Sequence, residues 1–234
     1  MISLIVPTRG RPKQVKCLME SLFKFTEDLN DLQVVLACDI DEMELANKYV
    51  AEYLPRVNFV AHVGEFVPNK SSKVNRVYDF VTGDILGVLN DDMVCRTRGW
   101  DKIVKEHAAK YPDGIYLIYG KDGRFNDLAV YQFTSRKLPD SVGYIWHPML
   151  AHIYMDNWNH EMFKEIGRLE YVPELFFEHM HYAMGKAIID DTYKLCTPSD
   201  TISDTTQFHQ MVDIRHKNAE TLKNLIKEGT QNAS

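Results

Sequence analysis

The sequence predicts an α/β protein in which a mostly parallel sheet is flanked by helices. Short apolar segments alternate with segments of helical periodicity over residues 1–120, which is typical of parallel strands joined by crossover helices. Two predicted strands end abruptly in acidic residues, at Asp39 and at Asn90-Asp91-Asp92. Because open α/β sheets bind ligands beyond the carboxyl ends of their strands, these acidic ends predict a ligand site.

The first two strands and helices are clearly marked. Residues 2–7 form an apolar run, and Pro12 stands where the first turn of a helix tolerates proline. Residues 32–38 predict the second strand, and a helix from about residue 42 ends ahead of Pro55. The first helix is predicted by apolar residues at helical spacing, namely Val15, Leu18, Met19, Leu22 and Phe23.

Three more strands and two helices complete this regular half. Apolar runs bounded by turn residues predict strands over residues 57–63, 85–89 and 115–119. Helical spacing predicts helices over residues 70–81, closed by Gly83, and over residues 98–111.

The pattern becomes less regular after residue 120. It predicts strands over residues 130–133 and 153–155 and helices over residues 159–166, 174–184 and 215–227. We therefore expect a single domain over residues 1–234, with a nucleotide-type half at 1–120. The half at 121–234 would carry acceptor and catalytic groups.

Composition narrows the function classes. The chain has 234 residues and a formal net charge of −6, from 27 basic and 33 acidic side chains. A general nucleic-acid coat protein would show a basic excess. The four cysteines form no CxxC pair, which favours reduced thiols and a cytoplasmic protein, or the host cytoplasm if the protein is viral. We expect no signal peptide and no transmembrane segment, so any membrane role would be peripheral.

The segment Asn90-Asp91-Asp92 directly follows a predicted buried strand. Adjacent carboxylates in such a position repel each other unless a positive group lies beside them. Mg²⁺ and Mn²⁺ prefer carboxylate and phosphate oxygens, so the pair suggests a metal ion bound with a diphosphate. The alternative is an ordinary surface turn after the strand.

Other polar residues of the first half are weaker candidates. The loop from Pro7 through Thr8 and Arg9 to Pro12 offers amides and arginines to a base or phosphate, although an exposed turn is equally plausible. It contains neither GxxxxGK[ST] nor GxGxxG. Asp39 suits a ribose or a pyrimidine N–H, whereas we expect Asp41 to cap the following helix.

In the second half, Asp156 lies beside Trp158 after a predicted strand. Partial burial would raise its pKa and suit a general base, and the alternative is a helix cap.

The segment Glu178-His179-Met180-His181 places two histidines at i and i+2. On a strand both would share a face, whereas on a helix at most one could reach a metal.

Together these pieces resemble the family 2-like glycosyltransferases of the GT-A fold. The opening Ile5-Val6-Pro7-Thr8-Arg9-Gly10-Arg11-Pro12 looks like the first strand and loop of that family. Residues 69–83 look like its helix with a basic residue, here Lys73, then Asn75 and a closing glycine. Asn90-Asp91-Asp92 looks like its metal motif, in the variant whose last Asp binds the metal.

The resemblance implies roles for individual residues. Asp39 would hold the uracil or ribose, and Asp91 would act behind the metal or on the ribose. Asp92 would bind the metal, with His179 or His181 completing the site. Asp156 would be the catalytic base, and Glu178 remains the alternative because the Glu-Asp pair of the family is replaced by Glu178-His179. The donor-binding set is Pro7, Thr8, Arg9, Asp39, Lys73, Asn75 and Asp91.

The implied activity is transfer of a sugar from a nucleotide-sugar, expected to be a UDP-sugar, with Mn²⁺ or Mg²⁺ as cofactor. Inversion by single displacement is expected, with retention left open, as is the oligomeric state. Alternatives are a nucleotidyltransferase and a non-catalytic nucleotide-sugar-binding module. The acceptor would be a glycan, a protein or a hydroxymethylated DNA base. A local basic groove would serve DNA, lined by Arg9, Arg11, Lys13 and Arg124.

Overall fold

The computed structural model describes residues 1–125 and 127–231 and confirms the predicted α/β class. Its strands are β1 (Ile2–Pro7), β2 (Leu32–Asp39), β3 (Asn58–Gly64), β4 (Ile85–Val88), β5 (Met93–Cys95), β6 (Leu117–Lys121), β7 (Gln132–Ser135) and β8 (Leu169–His179). They form one sheet in the order β3-β2-β1-β4-β7-β6-β8-β5.

The sheet is mixed and mostly parallel. Strands β3, β2, β1 and β4 run parallel to one another, and β8 runs parallel to β6. Strand β7 is antiparallel to β4 and β6, and β5 is antiparallel to β8. The carboxyl ends of β1, β2 and β4 therefore meet at one edge of the sheet, where the sequence places its acidic residues.

Helices cover both faces of the sheet. They are α1 (Pro12–Phe25), α2 (Met43–Tyr53), α3 (Lys70–Asn75), α4 (Trp100–Ala108), α5 (Lys137–Val142), α6 (Met155–Glu165), α7 (Asp191–Lys194), α8 (Pro198–Gln210) and α9 (Val212–Gln231). None of the helices in the described part of the chain is long and apolar enough to cross a membrane.

Strand β1 shows why the first strands carry apolar residues on both faces. Its alternate residues enter different clusters: Leu4 and Val6 pack on the face that contains Trp100, and Ile5 packs on the face that contains Trp158. Because side chains alternate across a strand, a strand covered on both faces carries no polar stripe. This double cover explains the clear strand signal over residues 2–7.

The predicted helix over 70–81 is shorter in the structure. Helix α3 ends at Asn75, and a 3-10 turn follows over Tyr78–Phe80. The Asn75 side chain accepts from the backbone N–H groups of Ile145 and Trp146 and donates to the carbonyl of Trp146. These tertiary bonds join α3 to the loop before α6.

Two predictions in the second half are wrong. Residues 153–155 are not a strand, because Tyr154 adopts a left-handed conformation with φ of 66° and helix α6 begins at Met155. Residues 174–184 are not a helix: β8 runs to His179, with Leu175, Phe177 and His179 buried at strand spacing. The sequence analysis also missed α8, although Thr197, Pro198 and Asp200 form its capping box and first turn.

Candidate active site

A cavity of about 690 Å³ lies at the carboxyl ends of β1 and β4. It brings together most of the predicted site residues, namely Pro7, Thr8, Arg9, Lys73, Asp91, Asp92, Asp156, His179 and His181. Asp39, Asn75 and Glu178 are not among the described residues that line it. Residues from both halves of the sequence therefore form one cavity.

The two adjacent aspartates have different surroundings. Asp91 accepts hydrogen bonds from the Thr8 hydroxyl at 2.8 Å and from Nη1 of Arg11 at 2.9 Å. Burial, together with the charge of Asp92, raises the pKa of Asp91 to about 6. Both oxygens of Asp91 thus have protein partners.

One carboxylate oxygen of Asp92 accepts hydrogen bonds, and the other has no hydrogen-bond partner. Oδ2 accepts from the Tyr193 hydroxyl at 2.6 Å and lies 3.5 Å from Nη1 of Arg11. Oδ1 lies 3.1 Å from Nε2 of His179 but has no aligned donor. Burial acts in the opposite direction, yet the proximity of His179, Tyr193 and Arg11 holds the pKa of Asp92 well below its usual range.

His179 ends β8 and lies between two carboxylates. Its Nε2 faces Asp92, and its Nδ1 lies 3.8 Å from Oδ2 of Asp122. Burial opposes the effect, but Asp122 and Asp92 together raise the pKa of His179. Asp92 Oδ1, His179 Nδ1 and Asp122 Oδ2 are all buried without a hydrogen-bond partner. Such a row of unpartnered polar atoms is uncommon in a folded protein.

Asp92 and His179 fit a divalent cation whose remaining ligands come from substrate phosphates and water. Over the described ranges, no group of three His, Cys, Asp or Glu side chains is arranged to hold a metal ion by itself. Asp92 Oδ1 and His179 Nε2 nevertheless form a two-atom donor set beside an open cavity. Mg²⁺ sites commonly combine one or two protein carboxylates with substrate phosphates and water.

His181 follows the strand and has a different environment. Its Nδ1 accepts from the backbone N–H of Ala183 at 3.1 Å, and its ring lies 5.0 Å from that of His179. Burial and the neighbouring positive charge lower the pKa of His181 to about 4. Of the two histidines, His179 is the one close to Asp92.

Asp39 is fully buried beneath three basic side chains. Its Oδ2 accepts from Lys73 at 2.5 Å and from Arg9 at 3.0 Å, and its Oδ1 lies 3.3 Å from Arg76. Arg9 also binds Asp41 through two hydrogen bonds of 2.6 and 2.8 Å, so Asp41 pairs with arginine rather than capping α2. Arg9, Lys73 and Arg76 therefore form a basic cluster around the Asp39 carboxylate.

Asp156 lies in the first turn of α6, two residues after the left-handed Tyr154. Its Oδ1 accepts from the N–H of Asn157 at 2.9 Å. The alternative interpretation of Asp156 as a helix cap is wrong, because α6 begins at Met155 with Tyr154 as its N-cap residue, and no side chain caps it. Burial raises the pKa of Asp156, and the positive charge of Lys70 partly offsets that rise. A carboxylate with a raised pKa suits proton acceptance.

Lys70 lies close to this carboxylate and was not predicted as a site residue. Its ammonium donates to Oδ1 of Asn90 at 2.5 Å and lies 5.5 Å from the Trp146 ring. Burial lowers the pKa of Lys70, although Asp92, Asp91 and Asp156 favour its charged form. Lys70 thus lines the cavity as a cation whose hydrogen-bond acceptor is a neutral amide.

Glu178 points away from the cavity, because neighbouring residues of a strand face opposite sides. It binds Lys186 at 2.7 Å and Arg96 at 2.6 Å, and these two cations lower its pKa. A carboxylate held in its charged form by two cations is a weak proton acceptor.

The segment 190–193 crosses the acidic end of the cavity. Tyr193 bonds to Asp92, and the Thr192 hydroxyl donates to the carbonyl of Arg9 at 2.6 Å. The guanidinium of Arg11 lies 4.2 Å from the centre of the Tyr193 ring. The sequence analysis gave no individual role to Asp190, Tyr193, Asp122 or Lys70.

Comparison with known proteins identifies the fold. No family model and no curated protein matches the sequence. Among solved structures, S. aureus TarS 1–349 matches with a TM-score of 0.61 at 14% identity, over 96% of this chain and 80% of that chain. A second match is the mannosyltransferase PcManGT from Pyrobaculum calidifontis in complex with GDP-Man and Mn²⁺. Its TM-score is 0.58 at 13% identity, over 100% of this chain and 76% of that chain. The chain has the GT-A fold.

A third GT-A match is glucosyl-3-phosphoglycerate synthase from Mycobacterium tuberculosis in complex with Mn²⁺, UDP and glucosyl-3-phosphoglycerate. Its TM-score is 0.52 at 15% identity, over 79% of this chain and 75% of that chain. The chain spans 36% of another TarS structure. At such identities the likeness establishes the GT-A fold, and the chemistry has to be argued from the site.

Proposed function

We propose that this chain is a metal-dependent glycosyltransferase that moves a sugar from a nucleotide-sugar donor to an acceptor hydroxyl. The observation that carries the proposal is the arrangement of Asp92, His179 and Asp156 around one cavity of a GT-A fold. A two-atom metal donor set with an unpartnered oxygen lies in the same cavity as a carboxylate with a raised pKa.

The donor would occupy the side of the cavity formed by Pro7, Thr8, Arg9 and Lys73. Arg9 stacks on Phe66 at 4.4 Å, which offers a planar wall for a nucleotide base. Asp39 would act indirectly, because its oxygens already accept from Arg9, Lys73 and Arg76. The basic cluster would favour the anionic donor. A UDP-sugar is the proposed donor, as the resemblance implies.

Asp92 and His179 would hold Mn²⁺ or Mg²⁺. When bound, such a cation stabilises the negative charge that develops on the leaving diphosphate. Asp91 would keep Arg11 and Thr8 in place behind Asp92, since both its oxygens bind them.

Asp156 would accept the proton of the acceptor hydroxyl as the hydroxyl attacks the anomeric carbon. Its raised pKa favours this role, whereas the two cations on Glu178 disfavour that residue as the base. Attack assisted by one base on the face opposite the leaving diphosphate is single displacement, so we propose inversion. The acceptor would be a glycan, a protein or a hydroxymethylated DNA base.

The cellular compartment is also proposed. The four cysteines are free thiols in the structure, which agrees with a reducing compartment such as the cytoplasm.

A donor screen tests the function. Release of nucleoside diphosphate from UDP-, GDP- and dTDP-sugars would be measured with Mn²⁺, with Mg²⁺ and with a chelator. We expect metal-dependent release from one donor, loss of at least 100-fold in Asp92→Asn, and little change in Asp101→Asn. Asp101 is a matched control because it is a buried aspartate that binds backbone amides outside the cavity.

Three outcomes would count against the proposal. If no donor is bound or hydrolysed with either metal, the donor-site interpretation fails. If a donor binds equally well to the wild type and to Asp156→Asn but is transferred to no tested acceptor, the chain is better described as a nucleotide-sugar-binding module. Release of pyrophosphate from a nucleoside triphosphate and a sugar phosphate would instead indicate a nucleotidyltransferase.

A further inference from the structure

Asp122 is a buried residue directly after β6, and only one of its two carboxylate oxygens has a hydrogen-bond partner. Oδ1 accepts the backbone N–H groups of Arg124 at 2.8 Å and Phe125 at 2.6 Å. Oδ2 is buried and has no hydrogen-bond partner. Oδ1 therefore stabilises the loop after β6. This contact does not explain why Oδ2 is buried without a hydrogen-bond partner.

The unpartnered oxygen of Asp122 faces an unpartnered nitrogen. Oδ2 lies 3.8 Å from Nδ1 of His179, and that nitrogen is also buried without a hydrogen-bond partner. The two residues are held together by the backbone, because the N–H of His179 donates to the carbonyl of Asp122 at 2.8 Å. A small rotation of either side chain would bring the two atoms within hydrogen-bond distance.

The opposite edge of the imidazole faces Asp92. Nε2 lies 3.1 Å from Oδ1 of Asp92, which also has no aligned donor. The other groups around the ring are His181, at 5.0 Å between ring centres, and the charge of Lys70. The ring is thus aligned between one carboxylate that faces the cavity and one that does not.

We propose that Asp122 is a positioning residue that holds His179 in the tautomer with the proton on Nδ1, leaving the lone pair of Nε2 directed at the metal site. Histidines that bind metals generally donate their other ring N–H to a carboxylate or carbonyl. This inference rests on the proposed function, because it assigns Asp122 a role toward the cation that Asp92 and His179 would hold.

The Asp122→Asn variant separates this role from the loop contact. The amide oxygen can still accept from Arg124 and Phe125, whereas the amide NH₂ placed beside Nδ1 can only donate. The variant would therefore favour the opposite tautomer, with the proton on Nε2. Loss of such a carboxylate partner weakens metal binding by about 10–100-fold in other metal sites.

Binding of Mn²⁺ would be measured by electron paramagnetic resonance in the presence of UDP. For Asp122→Asn we expect the dissociation constant to rise by about 10-fold or more, with Asp101→Asn unchanged. A folded Asp122→Asn protein with wild-type Mn²⁺ affinity would overturn the inference. If the wild type binds UDP but no Mn²⁺, the metal role of the proposed function fails as well, which distinguishes the two results.

A second measurement needs no variant. Long-range ¹H–¹⁵N correlation spectra of the wild-type protein without a metal ion report which ring nitrogen of His179 carries the proton. A proton on Nδ1 supports the inference. A proton on Nε2 contradicts it even if Asp122→Asn proves too unstable to study.

Discussion

Arg11 and Asp190 form a two-bonded ion pair, with Nε donating to Oδ2 at 2.8 Å and Nη2 donating to Oδ1 at 2.9 Å. The same guanidinium also binds Asp91 at 2.9 Å. Arg11 is thus a buried link between the first loop, the acidic end of β4 and the segment 190–193. Guanidinium–carboxylate pairs with two parallel bonds combine strength with fixed geometry.

We expect Asp190→Ala to loosen the segment 190–193 without unfolding the protein. The change removes both charged hydrogen bonds, each of a type worth about 1.5–3 kcal/mol, while Arg11 keeps Asp91. It also removes the bond of 3.0 Å that Oδ1 accepts from the N–H of Tyr193, which caps α7. Hydrogen exchange of the amides at 190–195 should accelerate by about 10-fold or more. Asp191→Ala is the matched control because the Asp191 side chain is exposed and binds Lys194. Equal exchange in the two variants would show that the Arg11 pair does not hold the segment.

Lys70 provides a second prediction, about the diphosphate. Arg9, Arg11 and Lys73 are bound to carboxylates, whereas the acceptor of Lys70 is the neutral Asn90. We expect Lys70→Met to weaken UDP binding by about 10–100-fold, as for loss of one charged hydrogen bond. UMP binding should change much less because UMP lacks the distal phosphate.

Calorimetric titration of both nucleotides would measure this difference. Lys70→Arg should recover part of the UDP affinity, and the exposed Lys48→Met serves as the control. Equal losses for UDP and UMP would indicate that Lys70 supports the cavity wall instead of contacting the distal phosphate.

Strands β1 to β4 could be predicted closely from the sequence, whereas β5 and several later elements could not. Strands β1 and β2 are buried on both faces, so their sequences are mostly apolar runs of strand length, with Ser3 and Gln33 as buried polar exceptions. Residues 174–179 contain adjacent apolar and polar residues without a clear period, and pairing of β8 with β5 and β6 decides their conformation. The positive φ of Tyr154 has no local sequence signal, since glycine or asparagine is the usual residue there.

Part of the candidate site was also predictable. Asp92, His179 and Asp156 were proposed from residue type, position and the family resemblance, and all three line one cavity. Lys70 and Asp122 were missed because their environment depends on tertiary contacts with Asn90 and His179. Lysine at a helix start and aspartate after a strand are common in ordinary turns and caps, so neither stands out in a single sequence.

The pH dependence of transfer gives a third prediction. Asp156 must be deprotonated to act as base, so activity should fall as the pH drops through its pKa. Because burial raises that pKa, the acid limb should lie above the ordinary aspartate range near pH 4. Lys70→Met should move the limb to higher pH, since the Lys70 charge lowers the pKa of Asp156.

This profile should be measured as kcat/KM at saturating Mn²⁺, because protonation of His179 would otherwise weaken metal binding. Burial also raises the pKa of Asp91, to about 6, so Asp91 needs its own control. The acid limb should persist in Asp91→Asn and disappear from the residual activity of Asp156→Asn. A limb that disappears in Asp91→Asn and persists in Asp156→Asn would assign it to Asp91.

The last prediction concerns Asp204, which supports the loop that leads to the proposed base Asp156. Asp204, buried in α8, accepts the consecutive backbone N–H groups of Ala151, His152 and Ile153 at 2.8–2.9 Å. This loop leads into α6 and Asp156, and the carbonyl of Ala151 accepts from the N–H of Lys70 at 2.7 Å. Asp204 therefore fixes the loop that places both residues.

Asp204→Ala leaves these three amides without their acceptor, so we expect a loss of about 2–4 kcal/mol in the free energy of unfolding, measured by urea denaturation. Asp200→Ala, in the same helix but exposed, should cost less. At a temperature where Asp204→Ala remains folded, kcat should fall and UDP affinity should weaken as well, because the displaced loop positions both Asp156 and Lys70. An unchanged kcat in a destabilised Asp204→Ala protein would mean that Asp156 keeps its position without this loop, and the role of the loop would then be limited to stability.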